Sequence, residues 1–249
     1  MVFATPELFE AVLGWLPLRD LLAAKRVNHH WHDMINHSPT LQQLLFFQPI
    51  PDHISKNRQP QQNPLLAALF PTFFKSRGPG VYADVKDIKA DAWFQDDFTG
   101  APRLDEENWF WFVDNSRRAT VLRPEASWRR MFPVQPPPRI AALDLWSFCC
   151  TNTTHHSVGE VDGDRGERAT MGLIYDVVVE TLDSNADPSF LIQWHMFKTA
   201  GKEEEEWKNE VSIRFTAAFW YCGGDPEITG LQLVEDGQQV VKWAVKEKI

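Results

Sequence analysis

The sequence predicts an α+β protein in which a small helical unit precedes a mixed domain that ends in an antiparallel β-meander. Apolar residues near the amino terminus recur at spacings of three and four, the period of an amphipathic helix. Near the carboxyl terminus, residues 211–222 follow the two-residue period of a half-buried strand. This change of period separates the helical unit from the domain behind it.

Three short helices, with a fourth behind them, are predicted in the helical unit. Thr5 is a suitable N-cap, Pro6 suits the first helical position, and Pro17 stops this helix. Two further helices are expected at about 18–25 and 28–36. Ser38-Pro39 repeats the opening signal, an N-cap followed by proline, and starts the fourth helix.

The helical unit is unusually apolar for its size. Between residues 6 and 46, 17 of the 41 side chains are large and apolar. A unit of this length buries too little surface to be stable without help. We therefore expect some of these side chains to face either the rest of the chain or a partner.

The motifs of this unit have a recognisable order and spacing. They are Thr5-Pro6-Glu7-Leu8-Phe9-Glu10, Leu16-Pro17-Leu18-Arg19-Asp20-Leu21-Leu22, Lys25-Arg26-Val27-Asn28, Trp31, Ile35 and Ser38-Pro39-x-Leu41. Together they resemble an F-box, the motif that docks onto the Skp-family adaptor of a cullin-RING ubiquitin ligase. The family commonly opens with Leu-Pro, where this chain has Thr5-Pro6.

The resemblance implies that nine residues build or contact the adaptor-binding surface. The alternative is that they form a helical cap on the domain behind them. This alternative carries most weight for Trp31 and Ile35, whereas partner contact is favoured for Leu16, Pro17, Leu21 and Leu22. The nine residues are Pro6, Leu8, Leu16, Pro17, Leu21, Leu22, Val27, Trp31 and Ile35.

Composition divides the chain into three parts. Residues 1–48 carry the resemblance to an F-box, residues 49–80 are expected to be a Pro/Gln-rich linker with an apolar docking segment, and residues 81–249 an α+β domain that binds a substrate. A second, weaker resemblance is to elements that accompany the F-box in many fungal F-box proteins. It rests on Asn63-Pro64-Leu65-Leu66 and on Ala126-Ser127-Trp128-Arg129-Arg130-Met131 followed by Gln135-Pro136-Pro137.

Alternation and turn signals locate the elements of the third part. No repeat of 30 to 50 residues is visible, so propellers and leucine-rich arrays are not expected. Asp236-Gly237 is the strongest hairpin signal. Strands are expected at 109–113, 140–148, 190–197, 211–221, 231–233 and 241–245, and helices at 124–131 and 170–183.

Candidate catalytic and metal-binding residues lack completing partners. Only two of His29, His30 and His32 share a helical face, and no Cys or carboxylate completes a metal site. His155-His156, expected in a loop, is interpreted in the same way, and Cys149-Cys150 has no partner motif. We predict no catalytic residue, no metal site and no cofactor.

Composition also limits the partners. The net charge of −9 disfavours nucleic acid, and no apolar run approaches the length of about 20 residues that a membrane helix needs. Three cysteines in a chain of 249 residues fit a reducing compartment, so a cytoplasmic and/or nuclear protein is expected.

The resemblance implies a non-catalytic substrate receptor, which binds a Skp-family adaptor and through it a cullin scaffold, and recruits an unknown protein target. Two alternatives stay open. One is an adaptor-binding protein that acts outside a cullin ligase. The other is an enzyme whose site, at His155, Cys149 or Asp162, lies in the carboxyl-terminal domain.

Overall fold

A computed structural model gives the fold. The residues that it describes are 5–51, 59–75, 83, 120–149, 154–183, 186–199, 206–219, 234–235 and 238–248. The described part combines helices with a mixed sheet, which confirms the predicted α+β class. The strand expected at 109–113 lies outside these residues.

Four short helices follow one another in the helical unit, close to their predicted positions. Thr5 is the N-cap residue of the first helix, but its side chain makes no capping hydrogen bond. The Asn28 and Ser38 side chains do accept capping bonds, from the backbone N–H groups of Trp31 at 2.9 Å and Leu41 at 3.1 Å. The helices are α1 (Pro6–Gly14), α2 (Leu18–Ala24), α3 (His29–His37) and α4 (Pro39–Leu44).

The segment behind the helical unit is built into the next domain. Strand β1 (Gln61–Gln62) pairs with β2 (Val134–Gln135), and helices α5 (Pro64–Leu69) and α6 (Pro71–Phe74) follow β1. Leu66 of α5, Phe73 of α6 and Phe70 between the two helices are buried in the core of that domain, as the apolar pattern predicts.

Buried Asn63 joins the two segments that carry the second resemblance. Its side-chain oxygen caps α5 by accepting from the Leu65 and Leu66 N–H groups. Its side-chain nitrogen donates to the Phe132 carbonyl oxygen at 3.3 Å, so both ends of the amide are bonded.

A five-stranded sheet organises the rest of the chain. We call residues 59–75 and the described residues from 120 onward the sheet domain. Its strands lie in the order β5-β6-β3-β4-β9, and β3 and β6 are parallel. The predicted antiparallel meander is therefore wrong, because β6 has β3 rather than the following strand as its second neighbour. The strands are β3 (Arg139–Cys149), β4 (Thr154–Val161), β5 (Ala186–Thr199), β6 (Glu206–Phe219) and β9 (Val241–Lys248).

A short β-hairpin precedes β9, as the Asp-Gly signal predicts. Strands β7 (Val234–Glu235) and β8 (Gln238–Gln239) pair antiparallel, with Glu235 opposite Gln238. The turn residues themselves, and the strand expected at 231–233, lie outside the described residues.

Two helices connect β4 to β5: α7 (Gly163–Glu167) and α8 (Met171–Asp183). Thr170 caps α8 by accepting from the Leu173 N–H at 3.3 Å, as predicted. The buried face of α8 includes Ile174 and Val178 and belongs to the same core as the inner face of the sheet. No helix in the described ranges is long and apolar enough to cross a membrane.

The helix expected at 124–131 is shorter than predicted. It is a 3-10 helix, Ser127–Arg130, so Pro124 lies outside it. Arg129 at this position donates to both carboxylate oxygens of Asp176 on α8, at 2.8 and 2.7 Å. This ion pair and the Trp128–Tyr175 ring contact at 5.2 Å hold the 3-10 helix against α8.

The backbones of these two helices approach closely at Gly172. A Cβ atom at this position would lie 2.7 Å from the Arg129 carbonyl oxygen and 3.1 Å from the Arg129 Cα. Because both atoms belong to backbone, only a shift of the helices could make room.

Gly172→Ala is therefore expected to destabilise the protein by about 1–3 kcal/mol, which lowers the thermal midpoint by several degrees. Gly166→Ala is the matched control, since its Cβ would meet Val161 side-chain atoms at 3.4 Å or more, an ordinary contact. Thermal unfolding followed by circular dichroism compares the two variants. Equal midpoints would contradict the close approach.

Candidate functional site

One face of α1 presents large apolar side chains to solvent. The exposed fractions are 52% for Leu8, 47% for Val12 and 89% for Trp15. Leu8 and Val12 lie on one side of α1, and Trp15, the C-cap residue, follows Val12 at a helical spacing of three. Phe9 and Leu13, on the neighbouring face of the helix, are buried. We call Leu8, Val12 and Trp15 the α1 stripe.

Exposed apolar area is concentrated in the helical unit. Besides the α1 stripe, Val27 at 59% and Leu44 are also exposed in this unit. Leu44 lies beside the end of α1. In the described part of the sheet domain, Phe148 at 49% is the one large apolar side chain of comparable exposure. Such a concentration is typical of a partner-binding surface.

The nine predicted adaptor-binding residues divide into three groups by burial. Pro6, Leu8, Pro17 and Val27 are exposed; Leu16, Leu22 and Trp31 are half-buried; Leu21 and Ile35 are buried.

Leu21 requires a correction, because partner contact was favoured there. Its side chain is 1% exposed and lies in the core of the helical unit with Phe9, Leu13 and Ile35. Leu21 and Ile35 therefore hold the unit together and do not reach its surface. Leu22 packs against the cores of both the helical unit and the sheet domain.

Sequence reasoning missed two members of the α1 stripe, Val12 and Trp15. Their spacing from Leu8 was visible in the sequence, but so was the helical spacing of Phe9 and Leu13. In a helix where both faces carry apolar residues, periodicity alone does not tell which face is covered.

The helical unit is tied to the sheet domain just after α4. Buried Leu45 belongs to the core of the unit, whereas the next residue, Phe46, belongs to the core of the sheet domain. The Phe46 carbonyl oxygen accepts from the Phe132 N–H at 2.8 Å. The buried Gln135 side chain donates to the Gln48 carbonyl oxygen at 2.7 Å.

Two cationic side chains lie over the ring of Phe47 at this junction. The Lys25 ammonium is 5.5 Å and the Arg130 guanidinium carbon 5.4 Å from the ring centroid. Burial, and secondarily the Arg130 charge, lowers the pKa of Lys25 below its ordinary value.

The histidines of α3 are exposed and do not form a metal site. His30 stacks on Phe9, with ring centroids 5.6 Å apart. His32 lies 3.4 Å from the carboxylate of its neighbour Asp33. Nowhere in the described ranges do three His, Cys, Asp or Glu side chains come together as metal ligands would.

His155 and His156 lie in strand β4, so the predicted loop is wrong. His155 is buried, and His156 is on the opposite face, where its Nε2 is 3.0 Å from the Asp144 carboxylate. Its ring also stacks on Trp146, with centroids 4.1 Å apart. Asp162, at the other end of β4, does not join them.

Comparisons with known proteins identify no relative of this chain. No protein-family model, no curated protein and no solved structure matches the chain.

The difference between buried and exposed leucines can be tested by measuring how their replacement changes the stability of the helical unit. Leu21→Ala is expected to destabilise the helical unit by about 2–5 kcal/mol, because it leaves a cavity. Leu8→Ala, the matched control, is expected to change stability by at most about 0.5 kcal/mol. Amide hydrogen exchange in residues 6–44, measured by mass spectrometry, distinguishes them. Faster exchange in Leu8→Ala than in Leu21→Ala would contradict the burial pattern.

The pH dependence of stability tests the surroundings of Lys25. The lowered pKa means that the unfolded state binds more protons between the folded pKa and 10.5. In that interval the contribution of Lys25 to stability rises with pH. Urea unfolding from pH 7 to 10.5 should therefore show wild type gaining stability relative to Lys25→Met. A constant difference would show that Lys25 titrates normally.

Proposed function

We propose that the helical unit is an F-box that binds a Skp-family adaptor, and that the chain is a non-catalytic substrate receptor of a cullin-RING ubiquitin ligase. The sheet domain would bind the target protein, and other subunits would carry out the ubiquitin chemistry.

The α1 stripe is the observation that supports this proposal. Three large apolar side chains on one helix face remain in water, although the unit buries its other apolar face well. Covering such side chains contributes about 1.5–3 kcal/mol each, so the stripe offers much of the free energy that association requires. Leu8 of the stripe lies within a motif that resembles the F-box, and Val12 and Trp15 lie between that motif and the next one.

The contacts between the unit and the sheet domain also support the role of a substrate receptor. The Phe46–Phe132 hydrogen bond and the apolar contacts of Leu22 join the unit to the sheet domain. A target on the sheet domain would then be held at a fixed position relative to the adaptor, as presentation to a separate enzyme requires.

An enzyme in the sheet domain is the competing function. The arrangement nearest to a catalytic pair among the described residues is Asp144 with His156. Since no hydroxyl or thiol there is hydrogen-bonded to the His156 ring, this pair lacks the nucleophile of an acyl-transfer site.

Adaptor binding tests the proposal directly. Full-length chain and a Skp-family adaptor are co-expressed, and their affinity is measured by calorimetry. Trp15→Ala is expected to weaken binding by about thirtyfold or more, and Val12→Glu to abolish it, because a buried aromatic residue contributes most at an interface and a charge there is left unpaired. Both side chains are exposed, so neither change unfolds the unit.

Phe148→Glu is the control, since it places a charge on an equally exposed apolar residue of the sheet domain. It should leave adaptor affinity unchanged. Unaltered binding by Val12→Glu would overturn the assignment of the α1 stripe. Co-purification with the adaptor but never with a cullin would instead favour an adaptor-binding protein outside the ligase.

A further inference from the structure

Two positive charges meet at the junction between the helical unit and the sheet domain. Lys25 directly follows α2, and Arg130 ends the 3-10 helix. Both lie over the ring of Phe47, itself half-buried against both apolar cores. The convergence therefore depends on the docking of the two parts and would not exist in either alone.

Within the described part of the chain, neither charge has an acidic partner. The described residues include no carboxylate paired with Lys25 or Arg130. Two other arginines of the sheet domain are paired: Arg129 with Asp176 at 2.7 Å, and Arg139 with Glu210 at 2.8 Å. An uncompensated pair of cations is notable in a chain whose net charge is −9, because acidic residues outnumber basic ones.

The two charges repel one another. Arg130 is one of the causes that lower the pKa of Lys25, the larger being burial. The face of the Phe47 ring offsets part of this cost through its attraction for cations. A bound anion would offset more, since it would attract both charges and accept hydrogen bonds from them.

The donors at the junction suit a group with several oxygen atoms. Arg130 supplies a planar fork of N–H donors and is exposed, whereas Lys25 supplies a compact charge and is half-buried. A phosphoryl group offers three acceptor oxygens and up to two negative charges, more than a carboxylate.

We propose that Lys25 and Arg130, held over Phe47, form a binding site for a phosphoryl group. The group belongs either to a free phosphate compound or to a phosphorylated protein segment. The proposal does not depend on adaptor binding, because the α1 stripe contributes no residue to this site.

Thermal unfolding of the full-length chain with inorganic phosphate tests the site. Ionic strength is kept constant with sodium chloride, so that general screening is equal. Phosphate is expected to raise the midpoint by several degrees over chloride. Lys25→Met and Arg130→Leu should each abolish this difference.

Arg19→Met and Arg123→Met are the matched controls. Each removes one exposed positive charge from the same two parts of the chain and should keep the response to phosphate. Loss of the response in the controls as well, or its persistence in Lys25→Met and Arg130→Leu, would overturn the site. If Lys25→Met were itself less stable, Arg130→Leu would still test the site, because Arg130 is exposed.

Peptide binding distinguishes the two sources of the phosphoryl group. A phosphoserine peptide and the same peptide with glutamate are titrated calorimetrically beside inorganic phosphate. Binding of the phosphopeptide about tenfold more tightly than free phosphate assigns a phosphorylated segment, and equal affinities assign a free phosphate compound. No binding of either would overturn the proposal. Val12→Glu should bind phosphate as wild type does, so the site and the adaptor proposal can fail separately.

Discussion

Between Leu45 and Phe46 the chain passes from the core of the helical unit into the core of the sheet domain. The rest of the structure depends on this junction. Phe46 adopts a left-handed backbone conformation with φ of 62°, which costs a non-glycine residue about 1–2 kcal/mol. Burial of its ring, worth about 1.5–3 kcal/mol, offsets that cost. The helical unit, too small to be stable alone, is thereby supported on one side by the sheet domain.

Because only one side is supported, the apolar side chains of the other side are exposed to solvent. Leu18 and Leu22 of α2 pack toward the sheet domain, while the α1 stripe remains in water. The unit therefore has one face that packs against the sheet domain and another apolar face that is exposed to solvent. The same docking brings Lys25 and Arg130 together over Phe47, so the junction combines structural support with a concentration of charge.

Local signals were read from the sequence more successfully than distant pairings. The cap at Ser38, the start of α8 at Thr170 and the hairpin formed by β7 and β8 all involve residues within a few positions of one another. The meander failed because alternation identifies a strand without naming its neighbour. The parallel pairing of β3 with β6 joins residues about 70 positions apart, a separation that no local pattern reports.

The sequence by itself determined the helical unit, the alternation of the strands and the set of residues from which a partner surface could be made. Only the tertiary structure decided which of those residues are buried. Leu21 and Leu8 have the same side chain and both fit the helical period, yet one is 1% and the other 52% exposed. Burial depends on what packs against a helix face, and that is set by elements far away in the chain.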